Sequence, residues 1–332
     1  MVRQFQRISG LFSNPRKNQF RKRLLAWYDL RRRALPWRES RDPYRVWLSE
    51  IMLQQTRVAA VIDHYQRFLR RFPTVEKLAA ARQASVLAAW SGLGYYRRAR
   101  MAHAAAKVIV REHGGKFPAS EAGLRELPGI GRYTAAAIAS IVFGEPVAVV
   151  EGNVERVLQR VAGKHLAGEE LWNAANDLLD ARRSGDFNQA MMELGAVVCT
   201  PRTPACLMCP VIDLCATRGE TPTTVKPARQ RKREIHYALD IREGEVFLVQ
   251  RALDESLMPA MWELPQTGAN GAVGPPCLTL RHAITVTDYT VRVWQHAAPA
   301  GIGGKWIPQA RMDQVALTGL ARKILRKAAI LK

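Results

Sequence analysis

Two rhythms of apolar and polar residues divide the chain. Over 19–216 the apolar positions recur every three or four residues, the period of a helix with one buried face. Val58, Val61, Ile62, Tyr65, Phe68, Leu69 and Phe72 mark one such helix, and Pro73 closes it. Similar stretches cover 75–90, 97–113, 134–143, 154–161 and 171–182, with no strand pattern between them. Beyond 235 the period shortens. The segments 237–241, 246–249 and 289–294 alternate or run apolar as strands do, separated by Gly- and Pro-rich breaks over 268–276 and 301–304. A basic helix over 312–329 is predicted to end the chain. Between the two regimes, 217–234 holds Pro222, Pro227, several Thr and a run of Arg and Lys, which reads as a linker. The expected organisation is therefore a basic, disordered arm over 1–18, a helical domain over 19–216, the linker, and a smaller α/β domain over 235–332.

Charge narrows the choice of partner. The 332 residues carry 50 Lys and Arg against 29 Asp and Glu, a formal charge of +21. That excess points to a polyanion, nucleic acid first and an anionic membrane surface second. No apolar run reaches the roughly 18 residues of a membrane-spanning helix. The first residues lack the apolar core of a secretory signal. Four of the five Cys are clustered, unlike a secreted disulfide framework, so a reducing compartment is expected: not secreted, and in a bacterium the cytoplasm, beside the nucleoid.

Several constellations carry chemistry. A helix is predicted from Pro43, with Asp42 as its N-cap, and Glu50 lies within it among Val46, Trp47, Leu53 and Gln54. A carboxyl group kept from water holds its proton more tightly and can act as an acid near neutral pH; the plainer alternative is a basic partner at the helix edge. Cys199, Cys206, Cys209 and Cys215 leave gaps of six, two and five residues. One metal centre suits four thiolates so spaced, a cubane iron–sulfur cluster more naturally than zinc, which usually takes paired C-x2-C motifs. The loop inside the array carries Arg202 where it would meet a phosphate, while Cys277 reads as a plain core thiol. Leu127-Pro-Gly-Ile-Gly-Arg-Tyr-Thr134 places Gly129 and Gly131 before a helix of small residues, a turn whose free N–H groups suit one DNA phosphate. Glu151 stands at the mouth of another helix, as a second active-site carboxylate or beside a simple cap made by Asn153. Gln55 and Tyr95 are candidates for wedges that fill the gap left by an extruded base, or for ordinary packing.

The cysteine spacing, the Leu127–Arg132 turn and Leu48-Ser-Glu-Ile-Met-Leu-Gln-Gln-Thr-Arg57 together resemble the endonuclease III superfamily of DNA glycosylases. Leu35-Pro-Trp-Arg38, Gly92-Leu-Gly-Tyr-Tyr96 and Phe187-Asn-Gln-Ala-Met-Met-Glu-Leu-Gly195 resemble the branch that removes adenine opposite 8-oxoguanine. The resemblance covers about 30–216. It implies a mostly α, two-lobed helix-hairpin-helix glycosylase fold with a DNA cleft between the lobes, a hairpin over about 124–143, and one 4Fe–4S cluster held by the loop 199–215. It implies that Glu50 is the acid that protonates the flipped adenine at N7, and that Glu151 stabilises the sugar cation where the family has aspartate. Tyr133 and Asn153 would contact this centre. Gly129, Gly131, Arg132 and Arg202 would bind the DNA backbone, Gln55 and Tyr95 would intercalate, and Thr56 and Leu93 would face the opposing purine. The lyase branch carries lysine at position 133, so tyrosine implies a monofunctional hydrolase. The C-terminal part resembles a Nudix-like lesion-reading domain through Val249-Gln-Arg251 and Met261-Trp-Glu-Leu-Pro265, without the glutamate-rich magnesium helix. Leu280-Arg-His282 would be its recognition loop, with His282 kept and Arg281 in place of serine. The implied partner is duplex DNA with an A·8-oxoguanine or A·G mispair, bound by a monomer without a membrane. Two other readings stand beside this one: a thymine glycosylase for G·T mismatches, and a non-catalytic iron–sulfur DNA-binding protein.

Overall fold

The structure, a computed structural model, describes residues 12–218, 231–255, 257–268, 274–284 and 287–331. Helices fill the first part: α1 (Asn14–Arg31), α2 (Pro43–Leu53), α3 (Val58–Arg71), α4 (Val75–Ala79), α5 (Gln83–Trp90), α6 (Arg97–His113), α7 (Glu121–Arg125), α8 (Arg132–Phe143), α9 (Gly152–Ala162), α10 (Gly168–Leu178) and α11 (Ser184–Val197). Strands β1 (Arg231–Ala238), β2 (Ile241–Arg242), β3 (Glu245–Gln250), β4 (Trp262–Glu263), β5 (Leu278–Ile284), β6 (Thr287–Trp294) and β7 (Lys305–Pro308) follow, and α12 (Gly319–Lys327) is the last helix.

Contacts divide these elements differently from the expected domains. One unit gathers Met1–Gln54 with Val108–Val225, the other Gln55–Lys107 with Lys226–Lys332. The helical region 19–216 is thus not one body, because its middle third packs with the C-terminal part.

In the first unit α8 is the central helix, and Ala135, Ala136, Ala137, Ile138 and Ala139 along it are buried. Their small side chains let α2, α7 and α11 approach it closely. Ser120 caps α7 by accepting from Gly123 N–H at 3.1 Å, and Gly144, at φ 73°, ends α8 in the left-handed conformation that favours glycine. Phe20, Leu24, Val157, Leu158, Phe187 and Leu194 build the core shared by α1, α9 and α11.

The second unit holds α3 to α5, the first part of α6, and two sheets. One sheet has the order β1-β6-β5, with β1 parallel and β5 antiparallel to β6. The other pairs β3 with β2, β4 and β7. Leu248, Leu264, Val291, Val293, Ile324 and Leu325 form the core under α12.

Three boundaries differ from expectation. Helix α1 begins at Asn14, inside the predicted arm, with Pro15 in its first turn; residues 1–11 lie outside the described residues. Strand β1 begins at Arg231, within the predicted linker, because pairing with β6 satisfies its backbone although the first side chains are exposed; 219–230 lie outside the described residues. The final helix is shorter than 312–329: a 3-10 turn covers Gln309–Gln314, and α12 starts only after Thr318, which caps it through Ala321 N–H at 3.1 Å.

Candidate active site and nucleic-acid interface

Asp42 caps α2 as predicted, accepting from Arg45 N–H at 2.9 Å, and the helix carries Glu50 into the first unit's interior. Glu50 is 6% exposed. Its edge-of-helix alternative fails, since no basic side chain hydrogen-bonds to it among the described residues. Its Oε2 accepts from the Tyr133 hydroxyl at 2.6 Å, and that hydroxyl also lies 3.4 Å from Met192 Sδ. Burial pushes the Glu50 carboxyl up to about 7; the Tyr133 bond and the positive charge of Arg38 pull it down, and the negative charge of Glu151 adds to the rise. Tyr133, enclosed beside this carboxylate, is held well above the ordinary phenol value by burial and by Glu50, so it stays a hydroxyl at neutral pH.

The roles read at the mouth of α9 are exchanged. Glu151, not Asn153, is the N-cap: its Oε1 accepts from Val154 N–H at 3.2 Å. Asn153 lies inside the first turn and donates from Nδ2 to Glu151 Oε2 at 3.2 Å. Arg156 fixes that amide by donating to Asn153 Oδ1 at 2.6 Å, and it also donates to the carbonyls of Gly195 and Cys199, both at 2.7 Å. Asn is the better cap on preference alone, but here its oxygen is engaged by arginine. Gly195 is required for the close approach of α11 to this turn: a Cβ there would meet Asn153 Cβ at 2.6 Å.

A second buried carboxylate went unread in the sequence. Glu193 accepts from Arg33 Nε and Nη2 at 2.7 and 2.8 Å and from Arg38 Nη2 at 2.9 Å. Burial alone would raise its carboxyl; the two guanidinium groups outweigh that and hold it at about 2. Asn188 is also buried, bonding Ser140 Oγ and the backbone of Val147 and Val149. A polar residue on an apolar helix face, inside the Phe187–Gly195 motif, is the sequence signal for both.

The hairpin forms over α7 and α8. Gly129 turns through φ 74°, whereas Gly131 is extended (φ −87°, ψ 176°) with open space where a Cβ would be. What Gly131 leaves open is access to the α8 N-terminus, a position suited to an anion. The Arg132 side chain is not free: it pairs with Glu169 and stacks 3.9 Å over the Trp172 ring. Arg202 is exposed in the cysteine loop.

Cys199, Cys206, Cys209 and Cys215 line one cavity with Arg160, Val198, Pro204 and Ile212. Buried Arg160 donates to Cys199 Sγ at 3.2 Å and to the carbonyls of Thr200 and Pro201. Among the described residues no three Cys, His, Asp or Glu side chains converge as on a single ion. Four cysteine sulfurs around one cavity are the donor set an iron–sulfur cluster takes at its corners.

In the second unit Gln55 (φ 55°) and Tyr95 (φ 49°) both adopt left-handed backbone, and both are exposed, Tyr95 by 52%. Such conformations cost of order 1–3 kcal/mol and cluster at functional turns. Thr56 is half-buried and Leu93 is buried. Arg281 and His282 do not form a loop; they lie in β5, opposite Thr290 and Tyr289 of β6. Arg281 is exposed, and half-buried His282 is held below the usual imidazole value by burial and by Lys323. Exposed Cys277 is not a core thiol.

Residues 48–174 match the family model "HhH-GPD superfamily base excision DNA repair protein", and 199–215 match "Iron-sulfur binding domain of endonuclease III". The loop that carries the four cysteines is accordingly an iron–sulfur loop of the endonuclease III type, for one 4Fe–4S cluster. Human adenine DNA glycosylase is 49% identical over 214 residues, 60% of this chain and 39% of the human protein. The Arabidopsis thaliana adenine DNA glycosylase is 37% identical over 329 residues, 84% of this chain and 52% of the plant protein. That of Buchnera aphidicola subsp. Acyrthosiphon pisum is 32% identical over 260 residues, 74% of each. The chain thus spans about two fifths of its mammalian relatives' length (39 to 41%). Among solved structures, a thermostable thymine-DNA glycosylase aligns at TM-score 0.58 and 30% identity over 62% of this chain and 97% of that one. An endonuclease III bound to DNA aligns at TM-score 0.53 and 23% identity over 61% and 96%, a likeness of fold. No helix among the described residues is long and apolar enough to cross a membrane.

Proposed function

The chain belongs to the adenine DNA glycosylase family, and from that premise we propose that it hydrolyses the N-glycosidic bond of adenine mispaired with 8-oxoguanine or guanine in duplex DNA. The observation that carries the reading is Glu50: a buried carboxyl titrating at about 7, paired with a tyrosine hydroxyl and within reach of the charge on Glu151.

Glu50 gives its proton to N7 of the adenine. With Tyr133 on Oε2, Oε1 is the oxygen left to carry it. The C1′–N9 bond then breaks, and its electron pair leaves with the base. A cation develops at the sugar C1′, and the Glu151 carboxylate offsets that charge. Water adds to C1′ and passes a proton to the Glu50 carboxylate, which restores the acid. The products are free adenine and an abasic site. Tyr133 has no amine to form a Schiff base, so the strand stays intact. Cys199, Cys206, Cys209 and Cys215 hold the 4Fe–4S cluster, which when bound cross-links the loop 199–215 and so fixes Arg202 at its surface. Gln55 and Tyr95 fill the space of the flipped base, Thr56 and Leu93 face the opposing purine, and the Gly129–Gly131 turn takes a phosphate. The C-terminal part, read as Nudix-like, addresses the lesion through Arg281 and His282 on β5. The enzyme acts as a monomer.

The test uses a duplex with one adenine opposite 8-oxoguanine, followed by alkaline cleavage of abasic sites. Product is expected with the wild type and not with Glu50→Gln. Absence of product with wild type, or full activity of the variant, overturns the reading. The 30% identity to a thymine-DNA glycosylase supports a second reading. A duplex with a G·T mismatch in the same assay separates the two.

A further inference from the structure

The turn that carries Leu93 and Tyr95 has a buried polar side that adenine removal does not use. Ser91 and Tyr96 are 5% and 3% exposed. Both hydroxyls donate to the carbonyl of Leu317, each at 2.9 Å, across 226 and 221 residues of sequence. Ser91 Oγ in turn accepts from Arg322 Nε at 2.8 Å. Leu317 is itself fixed, because its neighbours pair with Trp262: Trp262 N–H donates to Ala316 O at 2.8 Å, and Thr318 N–H to Trp262 O at 2.9 Å. Arg322 lies on α12 and is 8% exposed. The two hydroxyls, the carbonyl and the Arg322 Nε are thus all satisfied by one another in a dry place, where losing one leaves others unpaired.

On its other side the same turn is held to the Gln55–Thr56 bend. Arg98 Nη2 donates to Thr56 Oγ1 at 3.1 Å and to the carbonyls of Leu93 and Gly94 at 3.4 Å. Its guanidinium stacks 5.6 Å from Trp90 and 5.3 Å from Tyr95. Gly92, at φ +107°, passes so near His64 that a Cβ would lie 2.9 Å from its Nε2. The turn is therefore strained, tightly seated, and bonded at both ends.

We propose that Ser91, Tyr96 and Arg322 are positioning residues, forming a joint through which the C-terminal part sets the turn that presents Leu93 and Tyr95 to DNA. The inference rests on the adenine-removal reading for its consequence, selection of the opposing base, but not for the joint itself. A segment distant in sequence supplies the acceptor that fixes this turn, so any shift of that segment moves Leu93 and, through Arg98, Thr56.

The test compares the full chain with Arg322→Met, Ser91→Ala and the conservative Arg322→Lys. Hydrogen exchange of the amides over 92–96, read by mass spectrometry, is expected to quicken about tenfold in Arg322→Met and Ser91→Ala, as for one lost buried hydrogen bond. The single-turnover rate opposite 8-oxoguanine, divided by that opposite guanine, is expected to fall about tenfold, with the guanine rate unchanged. Arg322→Lys, which keeps a donor, restores both. A merely structural role would slow both substrates alike; that result, or unchanged exchange over 92–96, overturns the joint. If the wild type removes no adenine, the functional reading fails while the exchange measurement still decides the joint.

Discussion

Replacing Glu50 by glutamine should make the protein more stable, and only above a defined pH. A carboxyl ordinarily at 4.5 is raised by burial to about 7 in the folded chain. Between those values the folded state keeps a proton that the unfolded state has lost. Stability from this group is therefore fully present below pH 4.5 and is lost as pH rises through 7. At about 1.4 kcal/mol for each tenfold change in proton affinity, the loss is about 3 kcal/mol at pH 8.5. The carboxamide of Glu50→Gln never ionises but still offers an oxygen to the Tyr133 hydroxyl. The two proteins, each with its cluster intact, are unfolded in urea at pH 5 and at pH 8.5 and followed by tryptophan fluorescence. Part of the loss is already present at pH 5, above the unfolded value, so Glu50→Gln minus wild type should change by about 2.5 kcal/mol between the two pH values, in favour of the variant at pH 8.5. Any fixed cost of the carboxamide cancels in that difference. The same offset at both pH values would refute the claim that burial holds the Glu50 proton, and with it the assignment of Glu50 as an acid at neutral pH.

The same titration predicts that the single-turnover rate of base release falls about tenfold per pH unit once pH exceeds about 7, where Glu50 loses the proton it must donate; a flat profile to pH 9 contradicts it. Glu193→Gln should destabilise by about 3–5 kcal/mol at pH 7, because it leaves the guanidinium groups of Arg33 and Arg38 without their buried counter-charge, and a urea midpoint close to wild type would speak against this. The Glu193 contribution should fade as pH falls from 4.5 through about 2, since a carboxyl held low loses its advantage only when protonated. Gly195→Ala should cost about 1–3 kcal/mol and slow base release, because the new Cβ displaces Asn153 and with it the Glu151 carboxylate; a rate unchanged within twofold would argue against that placement.

Helical periodicity exposed most of the fold, because burying one face of each helix leaves a local trace. What it missed depended on distant partners. The split of 19–216 between two units is set by which faces meet, and periodicity gives a face without its partner. The apolar pattern places the start of strand β1 too late because its first side chains are exposed, and backbone pairing with β6 leaves no apolar mark. The stretch 75–90 read as one helix, but Thr74 and Arg82 start two short ones, α4 and α5. At the site, the apolar neighbours of Glu50 announced its burial, whereas its hydrogen bond to Tyr133 spans 83 residues and has no local signature. Glu193 was invisible for the same reason: its two arginines lie 160 and 155 residues away. The Leu280–His282 segment read as a loop from the resemblance, yet its alternation already fits a strand, and every residue of it is paired with β6.

The surroundings of the two acidic residues at the centre suit the two roles proposed for them, proton transfer at Glu50 and support of the sugar cation at Glu151. Glu50 sits in mid-helix, where the backbone N–H groups are already used, so its carboxylate finds one hydroxyl and apolar walls. Glu151 sits before a helix, where N–H groups are unused, and each oxygen finds a donor, Val154 N–H for one and Asn153 Nδ2 for the other. The Glu50 environment favours the neutral form and the α9 turn gives the Glu151 oxygens two donors, which fits the proposed roles of proton donor and cation stabiliser. The extra methylene of glutamate over aspartate bears on the second role alone. Glu151 must reach back to its own capping bond, and Asn153, pinned by Arg156, holds the other oxygen. The carboxylate is thereby fixed from two sides although its side chain is longer and freer. The ionised partner at 151 also adds to the rise at Glu50, so the charge that would steady the sugar cation helps to keep the acid protonated before the reaction begins.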